Sequence, residues 1–305
     1  MRALVTGAGG FVGQHLVGHL RERGDEVAGL DRRDGTDVLD AEAVRDAMRR
    51  HAPEVVYHLA ALTHVGASWE SPVATFRVNA EGTLNVLDAA RAAGARRVVV
   101  VSSAEVYGRV SPEEVPIAEG SPLRPVTPYG ASKAAAEHLA LQAWLGAGLE
   151  TVRARPFNHT GPGQSTAFLV PALAARVARA EIDGLDEVLV GSLEPERDLT
   201  DVRDVVRAYR LLAERGAPGA VYNVCSGRGV CVREVVDLLL SSASVRLAAR
   251  VDPALVRPVE VPRLVGDPAR LVAVTGWSPA WSLAQTVDGV LAAARDQARA
   301  ADSRS

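Results

Sequence analysis

Tyr129 and Lys133 stand four residues apart in the run Tyr-Gly-Ala-Ser-Lys. Apolar residues recur there at helical spacing, so both side chains leave one face of a helix. An ammonium beside a phenol favours the phenolate, which equips Tyr129 to move a proton to or from an alcohol or a carbonyl. A tyrosine and a lysine that merely share a surface face would give the same spacing, so a third group is needed. Ser103 supplies it: it follows the apolar run Val98–Val101, at the carboxyl end of an expected parallel strand, where open α/β sheets bind ligands. Its hydroxyl could hold the oxygen that Tyr129 protonates or deprotonates. Glu105, two residues on, could take a proton from a carbon beside a ketone, or simply bond loop backbone.

A second cluster suits a phosphate ligand. Thr6-Gly7-Ala8-Gly9-Gly10-Phe11-Val12-Gly13 joins a short apolar run to a helical pattern. Glycines 7, 10 and 13 let the backbone turn tightly and approach a pyrophosphate, held at a helix N-terminus with Phe11 and Val12 beside it. A glycine turn without a ligand has the same look, but Asp31 ends the next strand-like run, where a carboxylate can accept hydrogen bonds from an adenosine ribose. NAD is therefore the expected cofactor. Arg32 and Arg33 follow at once, and a guanidinium there could pair with a 2′-phosphate, which leaves NADP as the alternative.

The elements that must position these groups alternate. Strand-like runs at 3–6, 26–30, 55–59, 98–102 and 151–155 are separated by amphipathic stretches at 10–23, 41–51, 72–93 and 129–145, the pattern of parallel strands joined by crossover helices. Thr127-Pro128 reads as an N-cap with proline at the first helical position. After Pro156 the pattern breaks into shorter elements rich in proline and arginine, while residues 220–224 are apolar enough to rejoin the first sheet. The expected fold is α/β: a doubly wound parallel Rossmann sheet with a smaller C-terminal α/β substrate lobe. Residues 1–160 and 188–225 would form the dinucleotide-binding domain, and 161–187 with 226–305 the lobe.

Composition excludes several classes. The chain has 305 residues, 48% of them hydrophobic, enough to fill a core. Its net charge of −3 comes from interspersed charges with no basic block for a nucleic-acid backbone. No segment reads as a membrane span or a signal sequence, so a cytoplasmic location is expected. Cys225 and Cys231 are the only cysteines; without further ligands they read as reduced and structural, and no metal is expected.

The glycine turn, in its GxxGxxG form, with Ser103, Tyr129 and Lys133, resembles the extended short-chain dehydrogenase/reductases that act on nucleotide-diphosphate sugars, and the resemblance spans essentially the whole chain. It implies that Lys133 also holds the cofactor ribose, that Asp37 and Val38 contact the adenine, and that Leu59, Ala60 and Ala61 of the His58–Ala61 turn lie beneath the cofactor. It places Asn79 in the helix that follows, among the cofactor contacts. Arg155 to Gln164 resembles the family's RPFNxxGPGQ turn, which assigns Asn158 to the sugar nucleotide and the backbone near Ala167 and Phe168 to its phosphates. Arg197, within Glu-Arg-Asp-Leu-Thr-Asp-Val, resembles a diphosphate or ribose contact; Arg257 and Glu260, in Arg-Pro-Val-Glu, resemble phosphate and ribose contacts.

Within the family, RPFNHTGPGQ, RDLTDVRDVVRAY and VYNVCSG resemble GDP-4-keto-6-deoxy-mannose reductases, which form GDP-rhamnose, more than GDP-mannose dehydratases. The implied activity is reduction at C4 of a nucleotide-diphosphate 4-keto-6-deoxyhexose. A 4-epimerase that retains NAD is the main rival, since Ser103, Tyr129 and Lys133 serve both. A dehydratase using Glu105 comes third: such enzymes usually carry Thr and Asp where this chain has Ser103 and Ala104. Helices 72–93 and 129–145 resemble the pair that forms a four-helix homodimer interface.

Overall fold

The valine run Val98–Val100 has no polar residue to face water, and it lies at the centre of a parallel sheet covered on both sides. The computed structural model describes residues 1–256 and 263–302. The chain begins with β1 (Arg2–Thr6), α1 (Phe11–Glu22), β2 (Glu26–Leu30), α2 (Ala41–His51) and β3 (Val55–His58). Then come α3 (Val65–Glu70), α4 (Pro72–Phe76) and α5 (Gly82–Ala92), followed by β4 (Arg97–Val101), α6 (Pro128–Ala147) and β5 (Glu150–Pro156). The second part runs β6 (Asn158–Thr160), α7 (Leu169–Asp183), β7 (Glu187–Val190), β8 (Glu196–Asp201), α8 (Val202–Arg215) and β9 (Val221–Val224). It ends with β10 (Gly229–Cys231), α9 (Val232–Ser241), β11 (Ala248–Val251), β12 (Arg263–Leu264), α10 (Ala269–Thr275) and α11 (Leu283–Asp302).

Six strands form one sheet in the order β2-β1-β3-β4-β5-β9, every pair parallel. From β1 the chain first moves to β2 and then crosses back to β3, so the strand order reverses there. A crevice opens at such a point, outside the carboxyl ends of the strands. Thr6 is in register with Leu30 on one side and His58 on the other. One face of the sheet packs on α1, α8 and α10, through Leu16, Leu20, Leu212 and Leu271. The other packs on α2, α5 and α6, through Val44, Met48, Val86, Leu87 and Ala140.

Outside this sheet, β8 pairs with β10, β12 and β6, and β7 pairs with β11. Their core lies among α7, α9 and α11. The span 188–225, expected with the first sheet, is thus divided: α8 packs on that sheet and β9 completes it, whereas β7 and β8 pair elsewhere. Glu196–Asp201 holds a single apolar residue, Leu199, and could not be buried on both faces as a central parallel strand must be.

The stretch expected as one helix over 72–93 is broken by a wider π turn, Arg77–Glu81. Such turns are rare and often sit at functional sites; here it carries Asn79. Cys225 is buried and Cys231 part-buried, both unpaired thiols. Among the described residues no helix is long and apolar enough to cross a membrane, and no cluster of His, Cys, Asp and Glu could hold a metal.

Candidate active site

A cleft runs along the crevice between β1 and β3 and continues to β6 and α7. Its cavity volume is about 470 Å³, within the roughly 300–1,000 Å³ usual for a ligand site. Its lining extends from the glycine turn to the turn after β6.

At one end, β1 passes through the glycine turn into α1. Gly7 has φ +72°, and a Cβ there would lie 2.9 Å from the Ala60 amide nitrogen, so only glycine lets the turn rest on the strand beside it. A Cβ on Gly13 would collide with the Gly7 carbonyl. Gly10 caps α1 without a side-chain partner, and the first turn of α1 carries no acid. Backbone N–H groups there are left for an anion. Gly7, Gly10, Phe11, Val12 and Gly13 all line the cleft, as do Asp31, Arg32, Asp37, Val38, Leu59, Ala60 and Ala61. A dinucleotide cofactor fits this cradle.

Asp31 does more than face a ribose. One carboxylate oxygen accepts from the Gly9 amide at 3.0 Å, the other from the Arg33 amide at 3.0 Å, and the Arg33 side chain lies 3.7 Å away. Its charge is therefore already shared with its own loop, and Arg33 stands with it at the cleft wall.

Asn79 differs from expectation. It is 1% exposed and does not line the cleft. Its amide oxygen accepts from the Leu62 amide at 2.8 Å, and its nitrogen donates to the Leu62 carbonyl at 3.0 Å and to Ser132 Oγ at 2.9 Å. Both of its donor hydrogens are used inside the protein, so it ties the chain after β3 to α6.

Ser103, Tyr129 and Lys133 meet at the middle of the cleft. Thr127 Oγ1 caps α6 by accepting from the Gly130 amide at 2.9 Å, as the Thr-Pro pair implies. A Cβ on Gly130 would lie 2.7 Å from the Glu105 carbonyl, so this glycine lets the first turn of α6 press against the Ser103–Val106 turn. Burial pushes the Tyr129 phenol up to about 12, with the neighbouring Ser103 hydroxyl opposing the rise and the Glu105 charge adding to it. The lowering by Lys133 expected from the spacing is not among these effects. Lys133, 5% exposed, donates to the Val101 carbonyl at 2.8 Å, and burial lowers its ammonium to about 8. Farther along α6, the buried Glu137 carboxylate holds Arg155 by two hydrogen bonds of 2.8 and 2.6 Å, tying the helix to β5.

Glu105 also lines this part of the cleft. Burial raises its carboxyl, and the positive charge of Arg197 opposes the rise. Arg197 itself donates to the Glu196 carbonyl and does not line the cleft wall. At the far end, Asn158 and Phe168 line the cleft. Ala167 does not; it is exposed, its amide accepted by Ser165 Oγ at 3.2 Å. Arg257 and Glu260 lie outside the described residues.

Thr36, Thr63, His159 and Gln164 line the cleft without having been singled out. The only signal for them was position, in or beside the motif turns. Gln164 bridges the Thr160 hydroxyl and the His159 carbonyl, which folds the turn after β6. The His159 ring stacks on Phe11, centroids 6.3 Å apart, while His15 Nε2 lies 2.9 Å from the Pro162 carbonyl. Both contacts join the helix after the glycine turn to the stretch from β6 to Pro162.

Residues 3–225 match the family described as NAD dependent epimerase/dehydratase. The chain is 39% identical over 293 residues to GDP-6-deoxy-D-mannose reductase of Pseudomonas aeruginosa, covering 95% of this chain and 96% of that protein. It superimposes on the structure of RMD from Pseudomonas aeruginosa complexed with NADPH with a TM-score of 0.89 and 37% identity, covering 97% of this chain and all of the other. UDP-glucose 4-epimerase of Thermus thermophilus in complex with NAD gives a TM-score of 0.86 at 36% identity, covering 97% and 99%. The chain belongs to the NAD(P)-dependent epimerase/dehydratase family, within the extended short-chain dehydrogenase/reductases.

Proposed function

We propose that this chain reduces the C4 carbonyl of a nucleotide-diphosphate 4-keto-6-deoxyhexose, GDP-linked, to the 6-deoxyhexose. The observation that carries this reading is the meeting of Ser103, Tyr129 and Lys133 in one cleft that also holds the glycine turn, Asn158 and Phe168. Those three residues suit proton transfer to a C4 oxygen in a reductase and in an epimerase alike. The likeness to GDP-6-deoxy-D-mannose reductase favours the reductase.

When bound, reduced NAD or NADP supplies hydride. Ser103 then holds and polarises the carbonyl oxygen, and Tyr129 gives it a proton. Lys133 holds the cofactor ribose and places positive charge beside the phenol, while its bond to Val101 fixes its own position. Asn158 and Phe168, at the cleft wall, take the sugar nucleotide, and Arg197, Arg257 and Glu260 are assigned to its diphosphate and ribose by motif alone. The sheet with α8 and β9 serves the cofactor; β6, β7, β8 and the elements packed on them serve the sugar nucleotide. Arg32 and Arg33 admit the 2′-phosphate of NADP as well as NAD.

A second reading, water loss or proton exchange beside C4, is favoured by the part-buried Glu105, which lines the same cleft as Tyr129. Turnover of the GDP-linked 4-keto sugar with consumption of reduced cofactor tests the reductase; a dehydrated product from GDP-mannose without net consumption would replace it with the second reading.

The protein acts in the cytoplasm as a homodimer in this proposal. Trp69, Val73, Phe76 and Leu84 project from α3, α4 and α5 at 61%, 72%, 51% and 47% exposure, an apolar group that a second copy would cover.

A further inference from the structure

Beneath the cleft runs a line of buried polar groups whose hydroxyls and imidazole the motifs leave without a role. The Ala60 amide donates to Thr6 Oγ1 at 3.2 Å, Thr6 Oγ1 lies 2.8 Å from His58 Nδ1, and His58 Nε2 lies 2.9 Å from Thr83 Oγ1. Thr83 Oγ1 donates to the Asn79 carbonyl at 2.6 Å. From Asn79 the line continues through its side-chain nitrogen to Ser132 Oγ, which donates to the Tyr129 carbonyl at 2.7 Å. Thr6, His58, Asn79, Thr83 and Ser132 are each at most 3% exposed.

Its polarity follows from the donors. A backbone carbonyl only accepts, so the one Thr83 proton goes to Asn79 and Thr83 accepts from the Nε2–H of His58. The neutral imidazole then offers a bare Nδ1 to the Thr6 hydroxyl, which in turn accepts from Ala60. One tautomer and one rotation of each hydroxyl satisfy the whole line. Burial, aided by the Lys133 charge, keeps His58 neutral by lowering it to about 3.

A helical threonine that bonds the carbonyl one turn back is common, and alone would be packing. Thr83 differs because its acceptor is used by an imidazole from another element. One end of the line backs the glycine turn, since a Cβ on Gly7 would meet the Ala60 nitrogen. The other end is the helix of Tyr129 and Lys133. We propose that Thr83 is a positioning residue of the reaction: through His58 and Asn79 it sets the spacing between the turn under the cofactor and the helix that carries Tyr129. The kinetic part of its test rests on the reductase reading; the spectroscopic part does not.

Thr83→Val keeps the shape and removes the hydroxyl, and Thr83→Ser keeps the hydroxyl. In the full-length protein, Thr83→Val should lower kcat by about 10- to 100-fold, the scale of a sub-ångström to ångström misplacement. KM for cofactor and sugar should each change less than about threefold. Thr83→Ser should restore kcat to within about twofold. Emission of bound reduced nicotinamide should shift toward that of the free cofactor in the valine variant only. Should that variant not fold, Thr6→Val cuts the same line at its other end and must reproduce both effects. A folded valine variant with wild-type kcat and wild-type emission overturns the proposal, as does one that loses only melting temperature. If the wild-type protein turns over no 4-keto sugar, the reductase reading fails by itself and the emission shift alone decides for or against Thr83.

Discussion

Ser103, just beyond the carboxyl end of β4, and Tyr129, in the first turn of α6, line the same stretch of the cleft. Gly130 permits the approach, because any Cβ there would meet the Glu105 carbonyl. The pair therefore depends on two backbone turns fitting closely. Tyr129→Phe should abolish turnover, by about a thousandfold or more, the scale of a lost general acid, while the affinity for reduced cofactor stays within about threefold in a fluorescence titration. Persistent turnover would remove Tyr129 from the chemistry.

Activity and stability should respond to alkali in opposite directions. Burial lowers Lys133 to about 8 in the folded protein, against about 10.4 unfolded. Between these values the unfolded chain binds the extra proton, so stability rises with pH through that window. The same loss of charge weakens ribose binding and removes the positive charge beside Tyr129, so kcat/KM should fall above about pH 8. Melting temperature and kcat/KM measured across this range check both signs. Lys133→Met should flatten its share of the stability rise.

Arg33→Ala should raise the KM for NADPH by about tenfold or more and leave that for NADH within about twofold, because a guanidinium paired with the 2′-phosphate contributes about 1.5–3 kcal/mol. Equal losses with both cofactors would mean that Arg33 serves only to brace Asp31, to which it is already bonded.

Placing Asp at both Trp69 and Phe76 puts charge into the exposed apolar group on α3 and α4. Sedimentation should then give a monomer where the wild-type chain gives a dimer. A wild-type monomer would show that this face is covered in some other way.

How much could be read from residues alone follows from range. The glycine turn, Asp31 and the Tyr129–Lys133 pair are local: each is set by a strand end or a helical repeat within a few residues, and the structure puts them all at one cleft. β1, β3, β4 and β9 likewise carry apolar runs buried on both faces, whereas edge strand β2 is partly exposed and β5 carries Arg153 and Arg155 among its buried residues. Asn79 was read as a ligand contact, yet its amide is fully engaged with Leu62 and Ser132, partners that only the folded chain brings near. The Thr6–His58–Thr83 line was hidden for the same reason. It joins three elements through single hydroxyls, and no spacing announces it. The π turn at Arg77–Glu81 leaves the helical periodicity around it intact, so 72–93 reads as one helix.

The most direct test supplies GDP-4-keto-6-deoxymannose and reduced NAD or NADP to the purified protein while following nicotinamide absorbance and the sugar product together. One cofactor oxidised for each GDP-6-deoxyhexose formed is the result a C4 reductase gives. Retained NAD, with an altered sugar and no net change in absorbance, would contradict it and point to an enzyme that returns its hydride.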